Sequence, residues 1–212
     1  MGVIMAFGTT TARRISGVVA RIGTLGTVMA LSPLPLAAHE GGSAAGLLSG
    51  LLHPVTGLDH VLAMVAVGIW GAQLGAPAIW VLPVTFPMVM ALGGVAGLLG
   101  LGLPAVEVGI GVSALLLGAM VALERKPDLR LAAVLVGFFA IFHGYAHGTE
   151  LPEGQSGLLY SIGFVVSTGL LHGAGIGIGE LKRLSWGGTA LRAAGAVIAL
   201  AGVYFTWGAI AG

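Results

Sequence analysis

The chain has 212 residues, of which 57% are hydrophobic and only 8% are charged, and its formal net charge is +1. A soluble domain carries about 25% charged residues, so this composition excludes an ordinary water-exposed surface and predicts an all-α integral membrane protein. The near-neutral charge gives no indication of nucleic-acid binding, and the absence of cysteine excludes disulfides, thiolate metal sites and a thiol nucleophile.

Residues 1–38 are predicted to be a cleaved secretory signal peptide. Three arginines supply a basic start, IGTLGTVMAL is a short apolar stretch, and SPLPLAA precedes a cleavage expected after Ala38. The alternative is a seventh spanning helix, but two prolines and the short apolar stretch argue against it. Both interpretations place residue 39 on the outer side, because the arginines are retained inside.

Six apolar segments follow, each of about 19 to 25 residues and therefore long enough for a tilted membrane helix. A shorter apolar helix at 43–52 precedes them, and we expect it to lie at the outer surface or to re-enter the membrane. Residues 39–212 are thus predicted to form one polytopic transmembrane domain. The six predicted spans are 57–75, 78–101, 104–124, 129–147, 157–180 and 187–211.

Basic residues between the spans predict the orientation in a bacterial cytoplasmic (inner) membrane. Arg125, Lys126 and Arg130 separate the third and fourth spans, and Lys182 and Arg183 separate the fifth and sixth. Both loops are expected inside, since cytoplasmic loops are enriched in lysine and arginine. The processed N-terminus and the C-terminus then face the outer, periplasmic side, which agrees with a signal peptide.

The stretch FHGYAHGTE, at the outer end of the fourth span, places ionisable groups where they are costly. His143 and His147 share a helix face at i, i+4, and Glu150 continues that face if the helix extends one more turn. Imidazole and carboxylate suit a borderline divalent cation. The pattern favours a metal site over the simpler alternative, in which both histidines are hydrogen-bonded and the glutamate is solvated.

A second cluster lies in HPVTGLDH, at the start of the first span. Pro54 is expected to keep His53 out of helical backbone, and Asp59 and His60 follow in the first helical turn. Asp59 could equally form a capping box with Thr56, but capping leaves both histidines unexplained. A carboxylate beside a histidine is a usual ligand pair, or a ligand with the partner that orients it.

The predicted topology brings both clusters to the outer side, so residues from distant parts of the chain are expected to form one metal site. Two further groups are candidates for an ion path or a proton relay: His172 near the middle of the fifth span, and Glu107 in the outer turn of the third. Thr168 could instead satisfy His172, and Glu107 could be a solvated interfacial carboxylate. The six expected ligands are His53, Asp59, His60, His143, His147 and Glu150.

These two motifs, a histidine followed after five residues by Asp-His and a complete FHGYAHGTE, resemble those of the HupE/UreJ nickel/cobalt permeases. The likeness includes six spans after a signal peptide and covers about 39–212. It implies secondary transport of Ni²⁺ or Co²⁺ for hydrogenase or urease maturation, with the six residues above as metal-handling groups. The expected protein is a transporter without a prosthetic cofactor, whose partners are the metal ion and the lipid bilayer, a homo-oligomer being left open.

Two other functions stay open from the residues alone. Three histidines could hold Zn²⁺ and leave a position for water, with Asp59 or Glu150 as general base, in an intramembrane hydrolase. The third possibility is a metal-binding membrane protein that does not conduct. Ni²⁺, Co²⁺ and Zn²⁺ all accept histidine and carboxylate, so no spacing in this sequence selects among them.

Overall fold

The computed structural model describes residues 43–151 and 154–212, and the predicted signal peptide lies outside these residues. The described part of the chain is all α, as predicted, with seven α-helices and one short 3₁₀ helix. The helices are α1 (Ser43–Thr56), α2 (Leu58–Leu74), α3 (Ala78–Leu98), α4 (Val106–Ala122), α5 (Leu129–Thr149), α6 (Gly157–Gly179) and α7 (Gly187–Ala211), and the 3₁₀ helix is Glu180–Arg183.

The lengths and composition of these helices fit a multi-pass membrane protein. Among the described residues, four helices are long and apolar enough to cross a membrane, and α1 with α2 makes a fifth span if the bent pair is counted as one. Helix α4 has only 17 residues and falls below that length. Each of the six predicted spans therefore contains one helix, whereas length and composition support four to five spans.

The chain bends by 81° between α1 and α2, at Gly57. The extended backbone expected at His53 is wrong, because α1 continues through Pro54 to Thr56. The preference of a residue before proline is local, and tertiary packing overrides it here. Helix α1 packs along the first turns of α6, where Gly50 meets the backbone of Tyr160.

Glycines bring three sets of non-consecutive helices into backbone contact. Helix α3 packs on α5, α4 packs on α7, and α6 packs on α1 with its first turns and on α2 with its last turns. A Cβ added at Gly144 would lie 2.7 Å from the Met90 carbonyl carbon and 2.9 Å from the Gly94 nitrogen. Small residues permit this close approach. The resulting packing contacts hold the helices together, because in a membrane the lipid is as apolar as the side chains.

The C-terminal end of α2, away from His60, is hydrogen-bonded to the C-terminal end of α4. The buried Trp70 indole donates to the Arg125 carbonyl at 2.9 Å, and the Gln73 amide donates to the Val121 carbonyl at 3.1 Å. The Val121 carbonyl belongs to the last turn of α4 and also accepts the Glu124 N–H, and the Arg125 carbonyl lies just beyond that helix. The two side chains therefore connect the end of α2 to the end of α4.

Candidate metal site

Three ligand atoms from α1 and from the end of α5 lie within 4.8 Å of one another, one each from His53, His147 and Glu150. The Glu150 Oε2 atom is 3.1 Å from His53 Nε2 and 4.0 Å from His147 Nδ1. Metal–ligand bonds of about 2.1 Å place neighbouring ligands about 3 to 3.4 Å apart. Small side-chain rotations would therefore fit these three atoms around one divalent cation.

The Asp59 carboxylate orients the imidazole of the next residue. Its Oδ1 atom is 2.9 Å from His60 Nδ1 and also accepts the His60 backbone N–H at 2.8 Å. A carboxylate accepts only, so Nδ1 carries the proton and Nε2 keeps its lone pair. The alternative for Asp59, a capping box with Thr56, does not form: the Thr56 hydroxyl donates to the His53 carbonyl, and the α2 N-cap is Gly57, without a side-chain bond.

Ser113 performs the same task for the buried His143, and sequence reasoning missed it. The Ser113 hydroxyl donates to the Ile110 carbonyl at 2.6 Å, and its oxygen lies 2.8 Å from His143 Nε2. Because the hydroxyl proton is committed, the oxygen accepts the Nε2 proton, and the lone pair is left on Nδ1. The signal was a lone serine inside the apolar run of α4, which by itself predicts nothing.

Four imidazoles, hereafter the ring cluster, form a continuous chain: His53, His147, His60 and His143. Successive ring centroids are 4.7, 4.4 and 4.6 Å apart. Among the described residues, His60 Nε2, His143 Nδ1 and both His147 nitrogens are buried and have no hydrogen-bond partner. Each unsatisfied buried group costs about 1–3 kcal/mol, and a cation would satisfy the lone pairs. The donor set therefore fits a borderline divalent metal.

A helix break at such a site has an electrostatic consequence. The N-terminus of a helix carries a partial positive charge, which disfavours a nearby cation. Asp59 lies in the first turn of α2 and offsets that charge. The C-terminal turn of α1, whose partial charge is negative, carries His53. The bend at Gly57 thus brings the two helix ends together, and the negative charges of Asp59 and of the α1 C-terminus outweigh the partial positive charge of the α2 N-terminus, so that a cation can bind there.

The chain matches a known family. The family profile described as HupE / UreJ protein matches residues 27–205. The chain belongs to the HupE/UreJ family. This HupE/UreJ chain is similar to Protein HupE of Rhizobium leguminosarum bv. viciae, and the two are 46% identical over 178 residues. These residues are 83% of the chain and 93% of the relative. No solved structure matches the chain. The expected family membership is confirmed, and both histidine motifs lie within the matched residues.

The two remaining candidates of this HupE/UreJ chain are not members of the ring cluster. Glu107 is exposed in the first turn of α4 and is not part of the three-ligand group. His172 is buried in α6 with its ring against Phe86, which also contacts His143; both centroid distances are 5.4 Å. A role for either residue in an ion path stays a prediction.

Replacing Ser113 by alanine should weaken Ni²⁺ binding about 10- to 100-fold, the usual effect of losing a group that orients a histidine ligand. The His143 Nε2 proton would lose its acceptor, so the ring would no longer be held with its Nδ1 lone pair available. Equilibrium dialysis of the detergent-solubilised protein measures the effect. Ser161→Ala is the matched control, because that hydroxyl bonds only within its own helix, to the Gly157 carbonyl. Equal affinities in the two variants would contradict the orienting role.

Proposed function

We propose that this protein is a secondary transporter that imports a divalent transition metal, Ni²⁺ or Co²⁺, across the bacterial cytoplasmic membrane. The observation that carries the proposal is the ring cluster, whose buried ring nitrogens lack partners among the described residues and lie beside a three-ligand group with one exposed member, Glu150. An exposed carboxylate can capture a hydrated cation, and buried imidazoles can then replace water ligands. Family membership supports a role in supplying a metal to hydrogenase or urease.

The origin of the ligands favours transport over a fixed structural site. His143 and His147 belong to α5, which packs on α3, whereas His53 and His60 belong to α1 and α2, which pack on α6. A relative movement of these two sets would change the distances between ligands and release the ion. Broken helices that meet at a binding site are typical of secondary transporters.

The proposed orientation places Glu150 and the ring cluster at the periplasmic side and the Trp70 end at the cytoplasmic side, in keeping with the basic loops. The sequence carries no nucleotide-binding motif, so ATP could drive transport only through a partner, and we propose that the membrane potential supplies the energy. An inward-negative potential of 100 mV favours entry of a dication by about 4.6 kcal/mol, twice the value for one charge. Glu107 is a candidate for the first contact with the incoming ion.

Uptake of radiolabelled Ni²⁺ into a bacterium that lacks its own nickel importers tests the proposal. Cells that make the protein should accumulate Ni²⁺ faster than cells with an empty vector. Excess Co²⁺ should compete, and collapse of the membrane potential with valinomycin and potassium should slow the initial rate by at least about tenfold. Uptake at the vector level, from protein that has reached the membrane, would contradict transport; metal binding without uptake would indicate a non-conducting protein.

A further inference from the structure

A second group of unpaired polar atoms lies deep in α6, one helical turn apart on one face. Thr168 and His172 are 0% and 1% exposed. Among the described residues, the Thr168 hydroxyl and both ring nitrogens of His172 have no hydrogen-bond partner. Each unsatisfied buried group costs about 1–3 kcal/mol, so three at one position need a water or a ligand that supplies the missing bonds.

A backbone carbonyl on α3 completes this group. In a helix, the Pro83 carbonyl would accept the N–H of residue 87, but that residue is also a proline and has no N–H. The Phe86 ring, three residues further along α3, contacts the His172 ring, so the freed carbonyl belongs to the part of α3 that packs near His172, without a well-directed hydrogen bond to either ring nitrogen. The position therefore offers an imidazole nitrogen, a hydroxyl oxygen and a carbonyl oxygen, all of which bind divalent cations.

One stripe of α6 connects this position with the ring cluster. Tyr160, Phe164, Thr168 and His172 follow each other at i+4 and share one face. The Phe164 ring is 4.3 Å from the His147 ring, so the stripe begins at the ring cluster. His172 lies about 12 Å further along the helix, at about 1.5 Å per residue.

We propose that Thr168, His172 and the Pro83 carbonyl form a transfer site for the metal ion, one step deeper than the ring cluster. This inference rests on the proposed transport function. One imidazole and two neutral oxygens hold a borderline dication less tightly than several imidazoles and a carboxylate. Weak binding suits an intermediate position, because conduction requires that the ion enters and also leaves.

The absence of cysteine from the chain gives a direct test in membrane vesicles that contain the full-length protein. Thr168→Cys introduces one thiol, which a small cationic methanethiosulfonate reagent modifies only where water reaches it. We expect modification, and we expect Ni²⁺ or Cd²⁺ to slow it at least about tenfold. The protection should disappear in Thr168→Cys combined with His172→Leu.

Val166→Cys is the matched control, since Val166 lies on the same helix but is exposed on the outside of the bundle. Its thiol should react slowly and without metal protection. A Thr168→Cys thiol that stays unmodified, or whose protection survives His172→Leu, would overturn the transfer site. If Thr168→Cys does not reach the membrane, His172→Cys is used in the same way: a modified and metal-protected thiol supports the site, and an unmodified one overturns it.

Ni²⁺ uptake by the unmodified protein is measured in parallel, so the two proposals can fail separately. Uptake without metal protection of the thiol would leave a permease that lacks this site. Metal protection without uptake would leave a buried metal site in a protein that does not transport.

Discussion

His147→Ala should reduce Ni²⁺ uptake at least about a hundredfold, to the level of cells without the protein. His147 belongs to both parts of the site: its ring lies between those of His53 and His60, and one nitrogen faces Glu150 at 4.0 Å. Its removal takes a ligand from the three-ligand group and interrupts the ring cluster. Loss of a direct ligand is expected to exceed the effect of losing an orienting group, about 10- to 100-fold.

The initial rate of radiolabelled Ni²⁺ uptake measures this effect, normalised to the amount of protein in the membrane. Tyr145→Phe is the control on the same helix, because it removes a polar atom between the two α5 histidines without touching an imidazole. His60→Ala should be as inactive as His147→Ala, although it comes from the other motif. Full activity of His60→Ala would restrict the working site to His53, His147 and Glu150.

Gly144→Ala should prevent α3 and α5 from packing as they do in the native protein. The added Cβ would meet the Met90 carbonyl group and the Gly94 nitrogen, and backbone atoms cannot rotate away. Overpacking of a core usually costs about 1–3 kcal/mol, and a contact with backbone belongs at the upper end. Because His143 and His147 flank this glycine on α5, the altered spacing should also reduce metal binding.

Gly137→Ala is the matched control on the same helix. The nearest atoms to its added Cβ are side-chain methyl groups of Val89 and Thr85 at 3.5 and 3.6 Å, an ordinary van der Waals contact. Thermal unfolding of the detergent-solubilised variants, followed by size-exclusion chromatography, should show a large loss for Gly144→Ala and little change for Gly137→Ala. Equal stabilities would mean that α3 and α5 are farther apart than described.

The sequence predicted the elements of this fold well because apolar length is a local property. The predicted span at 129–147 is α5 (Leu129–Thr149), and the one at 187–211 is α7 (Gly187–Ala211). The convergence of the two histidine motifs also followed from topology, since an even number of crossings between the predicted spans returns the chain to the same side. The structure adds the distances between the imidazole rings, which a local sequence pattern cannot predict.

What the sequence did not predict depends on contacts between distant segments. The helical course of α1 through Pro54 depends on its packing against α6, which begins a hundred residues later. The role of Ser113 depends on its closeness to His143, and nothing in its own segment indicates that partner. Glu107 was named as a candidate from its expected depth alone, and its part in an ion path stays a prediction.

The interleaved pairing of the helices also bears on how the protein is made. Each glycine-lined contact joins helices that are separated in the chain, so a polypeptide that emerges from its N-terminus inserts one member of each pair well before the other. Helix α4 has to wait for α7, which is the last helix of the described residues. The contact between α4 and α7 can therefore form only after α7 has been synthesised, and a chain that terminates before α7 would expose an unfilled glycine face to cellular quality control.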